Sequence, residues 1–204
     1  DPDGNVYVLG DTPATNILVI KKFSVAGNLL WQTTYDPLDS LRGAWMTVDD
    51  GGNVIVLASI VRAVDGEPHG WLTIKYDTNG NLLWANSLPG PFRGAIRVEA
   101  DAHNNIYVAG YMWLTNASGN TTHDSVLIKY SPSGTTLWTA VFDNNGAIDK
   151  PHAMNISSDG SRVGVAGVSG NLFMALMYDA NDNLLWANTN LEAYAATDDA
   201  FRPV

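Results

Sequence analysis

The sequence contains no cysteine, so disulfides and thiol chemistry play no part in its stability or activity. This fits a cytosolic protein or a secreted protein that is stabilised in another way. No apolar run approaches the roughly 18 residues of a membrane-spanning helix. Basic residues are few: 11 Lys and Arg stand against 21 Asp and Glu, and the net charge of −10 argues against nucleic acid and anionic membranes as partners. No signal peptide is recognisable, and we expect a processed form or a fragment.

Helix-forming residues are scarce as well. Glu occurs 3 times against 18 Asp, and Asp, Asn and Gly are residues that favour turns. Aromatic and β-branched residues fill the runs between these turns, as is typical of strands. The composition therefore indicates an all-β fold with many tight turns.

A motif of a turn, two aliphatic residues and a Trp occurs four times. It reads DTNGNLLW from residue 77, and the four Trp residues are Trp31, Trp84, Trp138 and Trp186, at separations of 53, 54 and 48. Other motifs repeat in the same phase, among them LRGAWMTV from residue 41, DDGGNVIVLA from residue 49 and LTIKYD from residue 72. A period near 50 residues that contains four short strands is typical of a propeller blade.

We therefore predict an all-β fold, a β-propeller of four-stranded antiparallel blades, with four blades in a single domain over residues 1–204. The repeats cover approximately 1–36, 41–88, 92–143 and 149–190, and residues 197–204 form the stub of a closing strand. Apolar residues at both parities of several strands fit sheets that neighbouring blades cover on both faces. We expect the four motif Trp residues to be buried between blades.

The pattern W-L-x-I-K-Y-D-x-N-G-N-L-L-W, followed by D-x-G-N-V-I-V-L, resembles the Trp-containing repeats of secreted bacterial and archaeal β-propellers. It is similar to the proteins often called seven-bladed β-propeller repeat proteins, although this chain has four repeats. The resemblance covers essentially the whole chain. It implies an extracellular or cell-surface module, and that family has few assigned activities.

The order of the motifs predicts that the chain opens in the second strand of a blade and closes in a stub of a first strand. An unpaired strand edge exposes N–H and C=O groups that invite pairing. We expect the edge at Asn5 to Gly10 to be completed by Phe201 to Val204 of the same chain or by a neighbouring chain. The second option predicts head-to-tail self-association.

A ligand site is indicated by basic residues at one repeat position, just before the first strand of a blade. These residues are Arg42, Arg93, Lys150 and Arg202. They could form a ring that binds a carboxylate or a sulfated sugar at one mouth of the channel. The alternative is a set of structural ion pairs with Asp39, Asp149 and Asp199. Trp45 and Trp113 are the aromatic residues best placed to be exposed for a sugar.

Metal and catalytic sites are not predicted. Asp1, Asp3 and Asn5 resemble the start of a calcium loop, but no acidic ligand follows at a suitable spacing, so turn residues explain them better. His69 and His123 occupy equivalent positions in adjacent blades and should not converge on zinc, and His103 lies in a turn. Glu99 is the one acid within an innermost strand and the best single catalytic candidate, with a channel-lining carboxylate as the alternative. No cofactor is expected.

Glycosylation sequons occur at Asn116 and Asn120 in the longest loop, and a further one at Asn155 in a predicted strand is attributed to chance. Taken together, these observations favour a non-catalytic extracellular module for structure or adhesion, with self-assembly as one mode of action. A lectin-like carbohydrate-binding propeller is the alternative. A propeller enzyme, such as a glycosidase or a quinoprotein-like dehydrogenase, has no positive support.

Overall fold

The computed structural model describes residues 1, 3–11, 17–36, 40–61, 68–90, 92–115, 119 and 121–192. Within these residues the fold is all-β, and its strands form four antiparallel sheets.

We call the sheets blades 1 to 4. Blade 1 consists of β1 (Val6–Asp11), β2 (Leu18–Phe23) and β3 (Leu29–Tyr35). Blade 2 consists of β4 (Ser40–Val48), β5 (Val54–Val61), β6 (Pro68–Tyr76) and β7 (Leu82–Pro89). Blade 3 consists of β8 (Phe92–Ala100), β9 (Ile106–Thr115), β10 (Thr121–Tyr130) and β11 (Thr136–Phe142). Blade 4 consists of β12 (Asp149–Ile156), β13 (Arg162–Ser169), β14 (Leu172–Asp179) and β15 (Leu184–Glu192).

Each blade is a meander in which consecutive strands pair. The first strands of blades 2, 3 and 4 contact one another in sequence, so β4, β8 and β12 lie around the axis. This arrangement confirms the predicted β-propeller with four blades. Blade 1 has three strands among the described residues, and β1 is its inner edge. The predicted closing segment, Phe201 to Val204, lies outside the described residues. Those residues contain no helix with the length and hydrophobicity to cross a membrane.

Three separate hydrophobic cores lie between successive blades. The core between blades 2 and 3 is built around Ile55, Leu57, Trp71 and Val108. Equivalent cores join blade 1 to blade 2 and blade 3 to blade 4. Every side chain of β5 is buried because blade 2 has a neighbour on each face, whereas burial alternates along β2 and β14. Between blades 1 and 4, no pair of described strands packs extensively.

The motif Trp residues fix each blade to the next. The indole N–H of Trp31 donates to the carbonyl oxygen of Thr78 at 2.9 Å, and Trp84 does the same to Pro132 at 3.0 Å. Trp138 donates to Ala180 at 3.0 Å. Each acceptor lies in the turn before the outer strand of the following blade, and these three indoles are partly buried there.

The prediction that all four motif Trp residues are buried is wrong for Trp186. Its side chain is 49% exposed. The physical reason is that no described strand follows blade 4, so none of the described turns covers this indole as one covers each of the other three. The sequence predicts the position of this Trp but not its surroundings, which depend on a neighbouring blade.

The turn that follows the innermost strand is held by an Asp and an Asn four residues later. Asp49 accepts hydrogen bonds from the backbone N–H and the side chain of Asn53. Its carboxylate also lies 2.8 Å from Nζ of Lys75, and both side chains are buried. Burial of one charge without the other is costly, so this pair ties β6 to the turn.

Substitution of Trp84 tests the link between blades. Trp84→Phe keeps most of the packing but loses the bond to Pro132, and we expect the free energy of unfolding to fall by about 1 kcal/mol. Trp84→Ala also leaves a cavity, and we expect a loss of roughly 3 kcal/mol. Urea unfolding measures both.

Leu83→Ala is the matched control, because Leu83 is adjacent on the same strand and 51% exposed. It should change stability by less than about 0.5 kcal/mol. If Trp84→Ala were as mild as this control, the indole would not hold the blades together.

Candidate functional site

The predicted basic ring is only partly visible. Arg42, Arg93 and Lys150 lie inside β4, β8 and β12, and not just before these strands as predicted, because the strands begin earlier than the repeat motif indicates. The side chains of Arg42 and Arg93 lie outside what the structure describes, as do Arg202, Asp39 and Asp199. The ring therefore stays a prediction.

Lys150 is described, and it joins an aromatic cluster. Its Nζ lies 5.2 Å from the centroid of the Tyr111 ring, which is within range of a cation–π interaction. Tyr111 and Trp113 both contact His123, with ring centroids 5.3 and 5.2 Å apart. Trp113 is 36% exposed. His123 thus packs among aromatic rings at the end of blade 3.

A polar cleft lies between the innermost strands of blades 2 and 3. Trp45 extends from β4, and Arg97 and Glu99 extend from β8, where alternation places both on one face. The guanidinium carbon of Arg97 lies 4.5 Å from the centroid of the Trp45 ring. The cavity has a volume of about 280 Å³. Trp45, 40% exposed, and Trp113 therefore belong to different clusters.

The electrostatics of this cleft are set by Arg97 and Glu99. Nε of Arg97 is buried and has no hydrogen-bond partner among the described residues. Burial raises the pKa of Glu99, while the charge of Arg97 and the backbone N–H of Ile156 act in the opposite direction. A buried donor without a partner is costly, so an anionic or carbonyl oxygen bound here would be stabilised.

A second, larger groove of about 570 Å³ extends from Arg97 and Glu99 across the outward face of blade 4. Its lining is mostly apolar and includes Ala175, Met177 and Trp186. Asn155, whose sequon was attributed to chance, also lines it from β12 and is exposed. The sequons at Asn116 and Asn120 lie outside the described residues.

Several residues considered as metal ligands in the sequence make hydrogen bonds or ion pairs within the described part of the chain. Asp1 accepts hydrogen bonds from the backbone and side chain of Asn5 and from the hydroxyl of Tyr7, and it pairs with Lys22 at 3.1 Å. His103 lies in a turn held by Asp101, and the carbonyl oxygen of His69 accepts from Gly90.

The structure brings together three acids that the sequence analysis did not consider as a group. Asp124, Asp143 and Asp149 each place one carboxylate oxygen within 4.8 Å of the others. No other such group of acids and histidines occurs among the described residues. The spacing of DNNGAID over residues 143–149 is the signal that sequence reasoning missed, whereas Asp124 is distant in sequence and only the fold brings it near.

No protein-family model and no curated protein sequence matches this chain. Several solved structures share its fold. A protein from Lactobacillus plantarum has a TM-score of 0.58 at 13% identity and covers 94% of this chain and 55% of its own. The polysaccharide lyase Uly1 has a TM-score of 0.55 at 8% identity, over 92% of this chain and 48% of its own. A functionally unknown protein from Desulfotomaculum acetoxidans has a TM-score of 0.52 at 17% identity, over 92% and 54%. The chain thus spans about half the length of these structures.

The raised pKa of Glu99 gives a pH test. The folded protein holds the proton of Glu99 more tightly than the unfolded chain does, so ionisation opposes folding. The stability of the wild type relative to Glu99→Gln should therefore fall as the pH rises from the ordinary Glu value of about 4.3 through the higher folded value. At pH 7 the Gln variant should be the more stable protein, and at pH 4 this advantage should disappear.

Urea unfolding at both pH values measures the difference. Asp50→Asn, at an exposed turn position, controls for the general loss of one negative charge. A variant that is less stable than the wild type at pH 7 would show that Glu99 is stabilised as a carboxylate, in contradiction to its burial.

Proposed function

We propose that this chain is a non-catalytic structural module of the extracellular space or cell surface, and that it associates head to tail through its two terminal blades. The single observation that carries the proposal is the exposed indole of Trp186. The three equivalent indoles each donate to a turn of the following blade. The fourth has the same sequence context and no such acceptor among the described residues.

The outward face of blade 4 has the character of an interblade surface. Residues of β13 and β14 are buried alternately, and the face that does not meet blade 3 lines the groove with Ala166, Ala175, Met177 and Trp186. In blades 2 and 3 the corresponding face lies in a hydrophobic core. A contiguous apolar groove of this kind typically marks an interaction site.

Blade 1 presents the complementary surface. Its turn at residues 24–28 corresponds to the turns that contain Thr78, Pro132 and Ala180, and Val25 occupies the acceptor position. Val25 is 80% exposed. On β1, Val6 and Val8 are 56% and 47% exposed, and β1 is an edge strand among the described residues. This is the strand for which the sequence predicts completion by another segment.

The partner we propose is a second copy of this chain. The two surfaces resemble the two halves of an interface that occurs three times within the molecule, so a second copy offers each of them a matching surface. Such a contact is heterologous, and it forms a ring if the rotation closes and a filament if it does not. Two copies would contribute eight blades, which is within the usual range of four to eight or so for propellers.

The extracellular and non-catalytic parts of the proposal have separate support. The resemblance of the repeats to secreted propellers supports the location. The absence of a nucleophile–base motif from the sequence supports a non-catalytic role.

A second function, binding of an acidic carbohydrate, is favoured by the cleft at Trp45. An exposed indole offers a face for a sugar ring, and the free Nε of Arg97 lies beside it for a carboxylate. Both the size and the polarity of the cleft suit one or two sugar units better than a large apolar ligand.

Light scattering coupled to size exclusion, across a wide concentration range, tests the assembly. We expect species larger than the 22.0 kDa chain, with twice that mass for a closed pair. Trp186→Asp should give the monomer because it places a charge in the docking groove. Leu137→Asp is the matched control, since Leu137 is also on an outer strand and is 51% exposed, and it should leave the assembly intact. A wild-type protein that is monomeric at every concentration would contradict the proposal.

Binding of uronic-acid oligosaccharides, followed by intrinsic fluorescence, tests the second function. Trp45→Ala should weaken binding at least about tenfold, the effect of losing roughly 1.4 kcal/mol of stacking. Trp113→Ala, at the other exposed indole, should leave it unchanged. Equal losses in both variants, or no saturable binding by the wild type, would exclude the cleft at Trp45 as the site.

A further inference from the structure

Three carboxylates meet where blade 3 joins blade 4. Asp124 lies on β10, Asp143 follows the last residue of β11, and Asp149 is the first residue of β12. Their nearest oxygens lie within 4.8 Å of one another. Three carboxylates at this distance repel one another strongly when ionised.

Two of the three are deeply buried and incompletely satisfied. Asp124 is 3% exposed and Asp149 is 0% exposed. In each, Oδ1 is inaccessible to water and has no hydrogen-bond partner in the part of the chain that the structure describes. A buried carboxylate oxygen without a donor costs several kcal/mol unless something compensates its charge.

The remaining oxygens are held by donors that orient the carboxylates. Oδ2 of Asp149 accepts the backbone N–H of Asn144 at 2.7 Å, and Oδ1 of Asp143 accepts that of Gly146 at 2.7 Å. The side chain of Asn144 donates to the hydroxyl of Ser169 at 2.9 Å. The loop is thus fixed around its acids, and the two orphan oxygens remain free for a ligand.

Burial raises the pKa of both Asp124 and Asp149, and the nearby charge of Asp143 raises them further. Hydrogen bonds from Thr122 to Asp124 and from Ser169 and Asn144 to Asp149 act in the opposite direction. The charged forms are therefore disfavoured in the absence of a cation. A positive ion small enough to lie between the three carboxylates would compensate their charge.

We propose that Asp124, Asp143 and Asp149 bind a divalent cation and that the preferred ion is Ca²⁺. All three donors are carboxylates, which hard cations prefer, and the group contains no histidine or thiol that would select zinc. Ca²⁺ accepts six to eight oxygens, including carbonyl groups and water, and tolerates irregular geometry, whereas Mg²⁺ demands a near-ideal octahedron. The ion would join β10 of blade 3 to the first strand of blade 4. The test of this site does not depend on the proposed assembly.

Calorimetric titration of the full chain with CaCl₂, after removal of divalent ions with EDTA, tests the site. We expect saturable binding with one ion per chain. The unfolding temperature should rise by about 5–10 °C at a Ca²⁺ concentration one hundred times the dissociation constant. MgCl₂ at the same concentration should give a smaller shift.

Two variants make the test specific. Asp124→Asn should abolish the calcium-dependent rise, while its unfolding temperature without metal should equal or exceed that of the wild type, because a buried charge has been removed. Asp143→Asn alters the exposed member of the group, so it should fold normally and bind Ca²⁺ at least tenfold more weakly. Asp50→Asn, an exposed turn residue, should behave as the wild type.

The proposal is overturned if the wild type shows no saturable Ca²⁺ binding at millimolar concentration. It is also overturned if Asp124→Asn and Asp143→Asn retain the full calcium-dependent rise. In that case protonation, and not a bound cation, relieves the repulsion between the three carboxylates. The metal-free wild type should then lose stability as the pH rises, whereas Asp124→Asn should not.

Discussion

A four-stranded sheet with two apolar faces cannot bury both of them alone, and this constraint governs the whole molecule. Each blade is stabilised by its neighbours, through a hydrophobic core and through one indole that reaches across to the next turn. Buried strands such as β5 owe their continuous apolar sequence to this arrangement. The ends of the series are where the constraint is not met among the described residues, and there Val25 and Trp186 are exposed.

The repeat explains why so much of the fold was predictable. A period near 50 residues encodes one blade, and each blade needs only local turns and strand pairing to form, so the all-β fold and four blades follow from the motifs. The exposure of Trp186 was not predictable in this way, because it depends on whether another surface covers the outward face of blade 4. Similarly, Asp124 and Asp149 are brought together by packing between blades, and the repeat pattern of the sequence does not reveal such contacts.

Blade 4 departs from the repeat, and its departures agree with one another. Blades 1 and 2 bury a Lys against the Asp of the first turn, as Lys75 does with Asp49. In blade 4 the Lys position is Met177 and the Asp position is Ser157, so a buried ion pair has been replaced as a unit. Loss of one partner alone would leave an uncompensated charge. The replacement makes the face around Trp186 more apolar than its counterparts.

Function in a repeat protein is expected where the symmetry fails, since residues common to all blades are needed to form the blades. The cleft at Trp45 and Arg97 occurs once, and so does the group of three carboxylates. That group lies at the junction that holds blade 4 to the rest of the molecule, and blade 4 presents the apolar groove. A cation at Asp124 and Asp149 would fix the orientation of the blade whose outward face we assign to docking. The hydrophobic core between blades 3 and 4 already positions that face, and the ion would add an electrostatic link to it.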